Sequence, residues 1–205
     1  KYFFVSCRFI KKKNLEFLIN TFKIFSEKIK DWDLVIAGNG PLKNMLKELV
    51  KILNLNKRVI FVGYIQYDQI PIYYALSSCF ILPSITEQWG LVVNEALACG
   101  IPVIVSNRCG SAFELVENNN VGYIFSPYEQ KDLLNKMIKM TNQEIRNEFS
   151  KNTSKVIANY GSSHFGNNLK KASKFAIKYY NKDKNFLSKT ILRLLILSHQ
   201  IKWIK

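Results

Sequence analysis

Apolar positions along the chain fall into short, nearly continuous runs separated by stretches in which apolar residues recur every three or four positions. Tyr2 to Ser6, Leu34 to Ala37, Val59 to Val62, Cys79 to Pro83, Val103 to Val105 and Gly122 to Phe125 are the runs, the pattern of strands covered on both faces. Between them, Asn14 to Lys28 places Leu15, Leu18, Ile19, Phe22 and Phe25 at the spacing of a helix with one buried face. A second helix is expected over Leu42 to Leu53, with Pro41 at its first turn, where a missing amide hydrogen costs little. Shorter helices are expected over Ile70 to Leu76, over Leu91 to Cys99, which Gly100 closes, and over Ala112 to Glu117. Two more, Asn142 to Asn159 and Ser163 to Tyr180, are interrupted by Tyr160-Gly161. Strands alternating with helices predict an α/β fold: a doubly wound parallel six-stranded sheet, Rossmann-like, with extra C-terminal helices. The expected organisation is one domain over residues 1–181 and a basic, apolar tail helix over residues 182–205.

With 205 residues the chain has ample length for one buried core. Its first residue, Lys1, leads directly into an apolar strand, which reads as a domain cut from a larger protein. The four cysteines lack C-x-x-C spacing and three lie in or beside apolar runs, so reduced structural thiols are expected rather than disulfides or zinc ligands. No signal peptide precedes the first strand, and no uncharged apolar run approaches the roughly 20 residues that span a bilayer. A cytoplasmic protein is the expectation. The net charge of +15 is uneven, since from Leu169 onward ten Lys or Arg stand against Asp183 alone. No arginine-rich stripe or RNA-binding signature accompanies it, which argues against nucleic acid as a partner. Residues 186–205 are basic, apolar and aromatic, and two readings stand for them: peripheral attachment to an anionic membrane surface, on its inner face, or packing on a further domain.

In doubly wound sheets ligands sit beyond the carboxyl ends of the strands, which directs attention to the loops Ser6 to Lys13, Gly38 to Pro41, Gly63 to Tyr67, Ser84 to Gly90 and Ser106 to Ser111. Gly90 stands where the chain bends into a helix whose first amides have no intrahelical partner, so a phosphate fits there. Glu87 and Glu95 flank that point, and phosphates would repel them unless they faced hydroxyls instead. A ligand carrying both phosphate and sugar suits the arrangement. The first loop holds Arg8, Lys11, Lys12 and Lys13; a solvated charge run is the plain reading, and placement at a strand's carboxyl end favours a function. Asp31-Trp32-Asp33 reads as a turn on the far side of the sheet, and Gly38-x-Gly40 lacks the third glycine of a dinucleotide fingerprint, Lys43 standing in its place. His164 and His199 have no carboxylate or Ser partner at a recognised spacing, and no catalytic base is visible.

Glu87 and Glu95, with Gly90-Leu91 between them and followed by Ala96-Leu-Ala-Cys-Gly100-Ile-Pro-Val-Ile, resemble the E-x7-E signature of retaining glycosyltransferases of the GT-B fold, family 4, glycosyl transferases group 1. The resemblance extends to about Tyr180 and implies the C-terminal, donor-binding half of that fold. It implies Arg8 and Lys13 on the donor diphosphate, Glu87 on hydroxyls of the donor sugar and Glu95 on the ribose. The amides of Gly90 and Leu91 would meet the diphosphate, the Gly38 to Gly40 loop would lie close to the nucleotide, and Gly63, Tyr64 and Ile65 would border the base. Two cations and helix amides offset a diphosphate without a metal, so neither metal nor other cofactor is expected. Cys109-Gly110-Ser111 with Glu114 resembles the family segment Gly-Gly-x-x-x-Glu, with Cys in the place of the first Gly. The implied function is sugar transfer from a nucleotide-diphospho-sugar, with retention, to a saccharide or lipid-linked acceptor in polysaccharide or glycolipid synthesis. The acceptor contacts would come from an N-terminal domain, without which the isolated piece is expected to be inactive. A relative of different chemistry on the same fold, such as a sugar-nucleotide epimerase or a phosphorylase, is the first alternative. A basic, non-enzymatic binding module is the second.

Overall fold

The computed structural model describes residues 1–179. Six parallel strands, β1 (Tyr2–Ser6), β2 (Asp33–Ala37), β3 (Val59–Gly63), β4 (Cys79–Leu82), β5 (Val103–Ser106) and β6 (Gly122–Phe125), pair in the order β3-β2-β1-β4-β5-β6. Every strand therefore reaches its parallel neighbour through a crossover, and the direction of winding reverses between β1 and β4.

Alternation along the strands sorts the core into two layers. Phe3 and Val5 of β1, Leu34 and Ile36 of β2 and Ile81 of β4 face one side. There they meet Leu18, Phe22 and Phe25 of α1 (Leu15–Lys28), Leu46 and Val50 of α2 (Lys43–Ile52), and Leu133 and Met137 of α5 (Gln130–Lys139). Phe4, Val35, Phe80, Leu82, Val103 and Val105 face the other side. They pack under Tyr74 of α3 (Ile70–Leu76), Val93 and Leu97 of α4 (Leu91–Ala98), Leu115 of a π-helical turn at Ala112–Glu117, and Val156 of α6 (Gln143–Ala158). Both faces are covered, which is why the strands are continuous apolar runs.

Four details differ from expectation. The helix α5 was not assigned from the sequence, although Leu133, Leu134 and Met137 carry its buried stripe. α2 opens at Lys43 with Leu42 as its cap residue, so Pro41 lies just outside the helix in the preceding turn. Asp33 is the first residue of β2 rather than part of a turn, and its carboxylate accepts from Arg58 at 2.8 Å. Ala112–Glu117 winds as a π-type turn, wider than an α-helix. The Asp31-Trp32-Asp33 segment does lie at the amino end of β2, away from the strands' carboxyl ends, with Asp31 paired to Lys1 at 3.0 Å.

Residues 1–160 form one compact unit, and a second begins at Gly161 with α7 (Ser162–Lys178). The boundary expected between residues 181 and 182, and the tail after it, lie outside the described residues. Among the described residues, no helix is long and apolar enough to cross a membrane.

Candidate functional site

A cleft of about 480 Å³ opens at the carboxyl ends of the strands, where the winding reverses. Its walls are Ser6, Cys7 and Arg8 after β1, Ala37, Gly38 and Asn39 after β2, Tyr64, Ile65 and Tyr67 after β3, and Ile70, Val92 and Glu95 from α3 and α4. Backbone hydrogen bonds hold the rim together. Cys7 N–H donates to Ala37 at 3.1 Å, Phe9 N–H to Asn39 at 2.9 Å, and Gly38 N–H to Gly63 at 2.6 Å. Gly38 has φ +125°, and a Cβ there would stand 1.9 Å from the Cys7 carbonyl oxygen, so only glycine lets the first two loops meet this closely.

On the β4 side, Ile85 N–H donates to Lys12, Glu87 N–H to Arg108, Gly110 N–H to Glu87 and Ser111 N–H to Trp89, all at 2.9–3.2 Å. The loop from Ser84 to Gly90 is thus clamped between the loops that follow β1 and β5. Trp89 adds a side-chain brace, its Nε1 donating to Asn94 of α4 at 2.8 Å. Cys109 needs no glycine-only conformation, since it is absent from the positive-φ residues and its side chain is buried. At Gly110, by contrast, a Cβ would lie 2.1 Å from the Gln88 carbonyl oxygen. The second glycine of the resembled segment is therefore sterically required here and the first is not.

Gly90 is the cap residue of α4, at φ 92°, and no side chain caps the helix. The amino end of α4 is left open to an anion. Beside it lies the buried hydroxyl of Ser111, which, like that of Ser84 at the start of the β4–α4 loop, has no hydrogen-bond partner among the described residues, uncommon for a buried polar group.

Of the residues singled out in the sequence, Arg8, Gly38, Tyr64, Ile65 and Glu95 line the cleft, and Lys13, Glu87, Gly40, Gly63, Gly90 and Leu91 stand outside its lining. Lys13 and Glu87 form an ion pair whose side chains are only 14% and 17% exposed, tying the turn at Lys11–Lys13 to the β4–α4 loop. Lys11 and Lys12 are exposed on that turn. Gly40 packs on the backbone of Phe9, a role in loop packing. Leu91 opens α4 with its side chain exposed. Glu95 is half-buried and accepts a hydrogen bond from the Tyr74 hydroxyl at 2.9 Å, so it is not a bare surface residue. Tyr74 carried no sequence signal of a site, because its contact with Glu95 runs between elements; Ser84 and Ser111 lie in loops that the sequence marked, but nothing in it singled out their hydroxyls.

Burial shapes the acid–base character of the cleft. The Cys7 thiol is pushed up to about 12 chiefly by burial, with Lys13 pulling it down and Glu87 pushing it up. Tyr74 is held far above the ordinary phenol range by burial and then by the charge of Glu95. Both groups stay protonated at neutral pH, and Tyr74 is therefore a standing donor toward Glu95.

A doubly wound sheet with its cleft at the reversal of winding, an uncapped helix and two carboxylates beside it defines a Rossmann-like ligand-binding domain. Residues 1–156 match the family described as glycosyl transferases group 1, and the chain belongs to that family. Its fold is that of the C-terminal domain of GT-B glycosyltransferases. The C-terminal domain of a glycosyl transferase group 1 family protein from Francisella tularensis superimposes with a TM-score of 0.69 at 25% identity, over 77% of this chain and 85% of that one. The UDP-Gal:alpha-D-GlcNAc-diphosphoundecaprenol alpha-1,3-galactosyltransferase of Escherichia coli is 34% identical over 132 residues, 64% of this chain and 33% of that protein. The N-acetyl-alpha-D-glucosaminyl L-malate synthase of Bacillus anthracis is 35% identical over 117 residues, 57% of this chain and 29% of that protein. The chain spans about a third of the length of the curated relatives it matches.

Proposed function

We propose that this chain is the donor-binding part of a retaining glycosyltransferase, which moves a sugar from a nucleoside diphosphate to a saccharide or lipid-linked acceptor in polysaccharide or glycolipid synthesis. The observation that carries the reading is the juxtaposition of Glu95 in the cleft with the open amino end of α4. Glu95 accepts from ribose hydroxyls, while the amides at Gly90 and Leu91, together with Arg8 and Lys13, hold the diphosphate. Tyr64 and Ile65 border the base. Glu87, beside the same helix end, takes hydroxyls of the donor sugar, and Lys13 then bridges sugar-binding carboxylate and phosphate. As the glycosidic bond breaks, charge grows on the departing diphosphate, and these fixed cations and amides stabilise it without a metal. The named activity of the Escherichia coli relative, which uses UDP-Gal, supports a nucleotide-sugar donor. A further domain supplies the acceptor contacts and completes the active site, and the chain acts on the cytoplasmic side of the membrane.

Calorimetric titration with nucleoside diphosphates tests the reading. Glu95→Ala should weaken binding roughly tenfold or more, the worth of hydrogen bonds to a charged acceptor. Arg8→Glu should remove most of the affinity, and a chelator should leave the wild-type Kd unchanged. Unchanged affinity in Glu95→Ala would refute the assignment, and a strict need for magnesium or manganese would refute the metal-free mechanism.

A further inference from the structure

The hydroxyl of Tyr74 sits in a place that packing alone does not explain. Its ring is buried, 1% exposed, in the apolar layer beneath α3 and α4. Phe4 lies at 5.0 Å and Phe80 at 5.4 Å between ring centroids, and these neighbours hold the ring in one orientation. A phenylalanine would fill that space equally well, without the cost of bringing a hydroxyl into an apolar layer. The hydroxyl ends against a carboxylate oxygen of Glu95, Oε2, at 2.9 Å. Among the described residues no hydrogen bond reaches the other oxygen, Oε1, and Glu95 borders the cleft. One oxygen is anchored by the phenol, and the other is without a hydrogen-bond partner among the described residues, on a side chain that lines the cleft.

We infer that Tyr74 is a positioning residue: it locks the Glu95 carboxylate in the orientation that reads ribose hydroxyls, and so sets the domain's preference for ribonucleotides over their deoxy counterparts. The inference rests on the assignment of Glu95 to the ribose. A free glutamate on a helix samples several rotamers and loses that freedom on binding. A carboxylate fixed beforehand by a rigid phenol has already lost it, so more of the hydrogen-bond energy appears as affinity. The same bond keeps the carboxylate from turning its second oxygen away. Tyr74 touches no ligand itself, since it lies behind the cleft wall.

The test is a comparison of ligands rather than of stabilities. Uridine, guanosine, adenosine and cytidine diphosphates, each beside its 2′,3′-dideoxy counterpart, are titrated calorimetrically into the full chain, into Tyr74→Phe and into Glu95→Ala. Wild type should favour the ribose form of the bound nucleotide by roughly tenfold, Glu95→Ala should abolish that preference, and Tyr74→Phe should cut it by roughly three- to tenfold. Affinity for the dideoxy form should be the same in Tyr74→Phe and wild type, which doubles as the check that the cleft is intact. An equal loss for ribose and dideoxy forms in Tyr74→Phe, or an unaltered preference, overturns the positioning role while leaving Glu95 on the ribose. If Glu95→Ala retains the full ribose preference, or no pair binds the wild type, the reading of the cleft falls and the inference with it.

Discussion

At the residue scale, the cysteines show how burial decides chemistry that composition cannot. Cys7 and Cys109 are both pushed from 9.0 up to about 12, mainly by burial, and Cys79, the first residue of β4, is raised well above 9.0 by its complete burial. The thiolate is the reactive form, and at pH 8 a thiol of pKa 12 is ionised in roughly one molecule in ten thousand. A thiol reagent at pH 8 should therefore modify Cys99 first, the cysteine farther from full burial, and reach the others only on unfolding. Rapid labelling of Cys7 in the native protein would contradict this. The sign of the pH dependence follows from the same shifts. A folded-state pKa raised above the unfolded one gives stability that is fully present below the ordinary thiol value of 9.0 and is lost as pH rises toward 12. Alkaline unfolding monitored by circular dichroism should accordingly steepen between those limits, and replacing Cys109 by Ala should blunt it.

At the scale of elements, α4 is a short helix that sets an open amino end at Gly90 beside a carboxylate, Glu95, one turn further on. The elements farther from the cleft have a different task. α5 ends against α6 through Arg146, whose side chain is buried and donates to the carbonyls of Met140 and Thr141 at 2.7 and 2.8 Å. Its guanidinium also lies over the Trp32 ring, 5.0 Å from the centroid. A cation is well placed there, because the last carbonyls of a helix lack partners and carry partial negative charge. Arg146→Leu should cost about 2–4 kcal/mol, from two charge-assisted hydrogen bonds and a desolvated cation–π contact. Urea unfolding measures that loss, and nucleotide affinity below the transition should not change. A loss under about 0.5 kcal/mol, the range of ordinary surface changes, would show that water replaces the guanidinium at no cost.

At the scale of the whole molecule, the excess charge and the cleft lie in different parts of the chain. The cleft is built from the first 100 residues, whereas ten of the chain's cations fall after residue 169. Each Lys or Arg near an anionic lipid surface contributes on the order of 1 kcal/mol within a Debye length, so even part of this set would hold the chain there. The full chain should sediment with vesicles of mixed neutral and anionic lipid at low salt and be released at high salt. A chain ending at residue 183 should stay in the supernatant with its nucleotide Kd unaltered. Failure of the full chain to sediment would assign residues 186–205 to packing against protein instead.

Much of this molecule is legible along the chain, for a physical reason. A strand covered on both faces must be apolar at every position, so the six runs from Tyr2 to Phe125 announced a parallel sheet, and Glu87, Gly90 and Glu95, read with the glycines and strands around them, pointed to the loop between β4 and α4 as the place to look for a site. α5 escaped although Leu133, Leu134 and Met137 were in plain view, because ten residues between β6 and α6 hold fewer than three turns and so few repeats of the helical period. Other properties have no trace in one dimension. The partners that meet are separated by 21 positions for Tyr74 and Glu95 and by 74 for Lys13 and Glu87, and Gly38 is required only because the Cys7 carbonyl arrives beside it. Local sequence determined which segments become strands and helices and which loops carry polar groups, since those follow from short-range sterics and burial. Only the tertiary structure decided which side chains meet across the reversal between β1 and β4, because the strand order brings together loops that the chain itself keeps far apart.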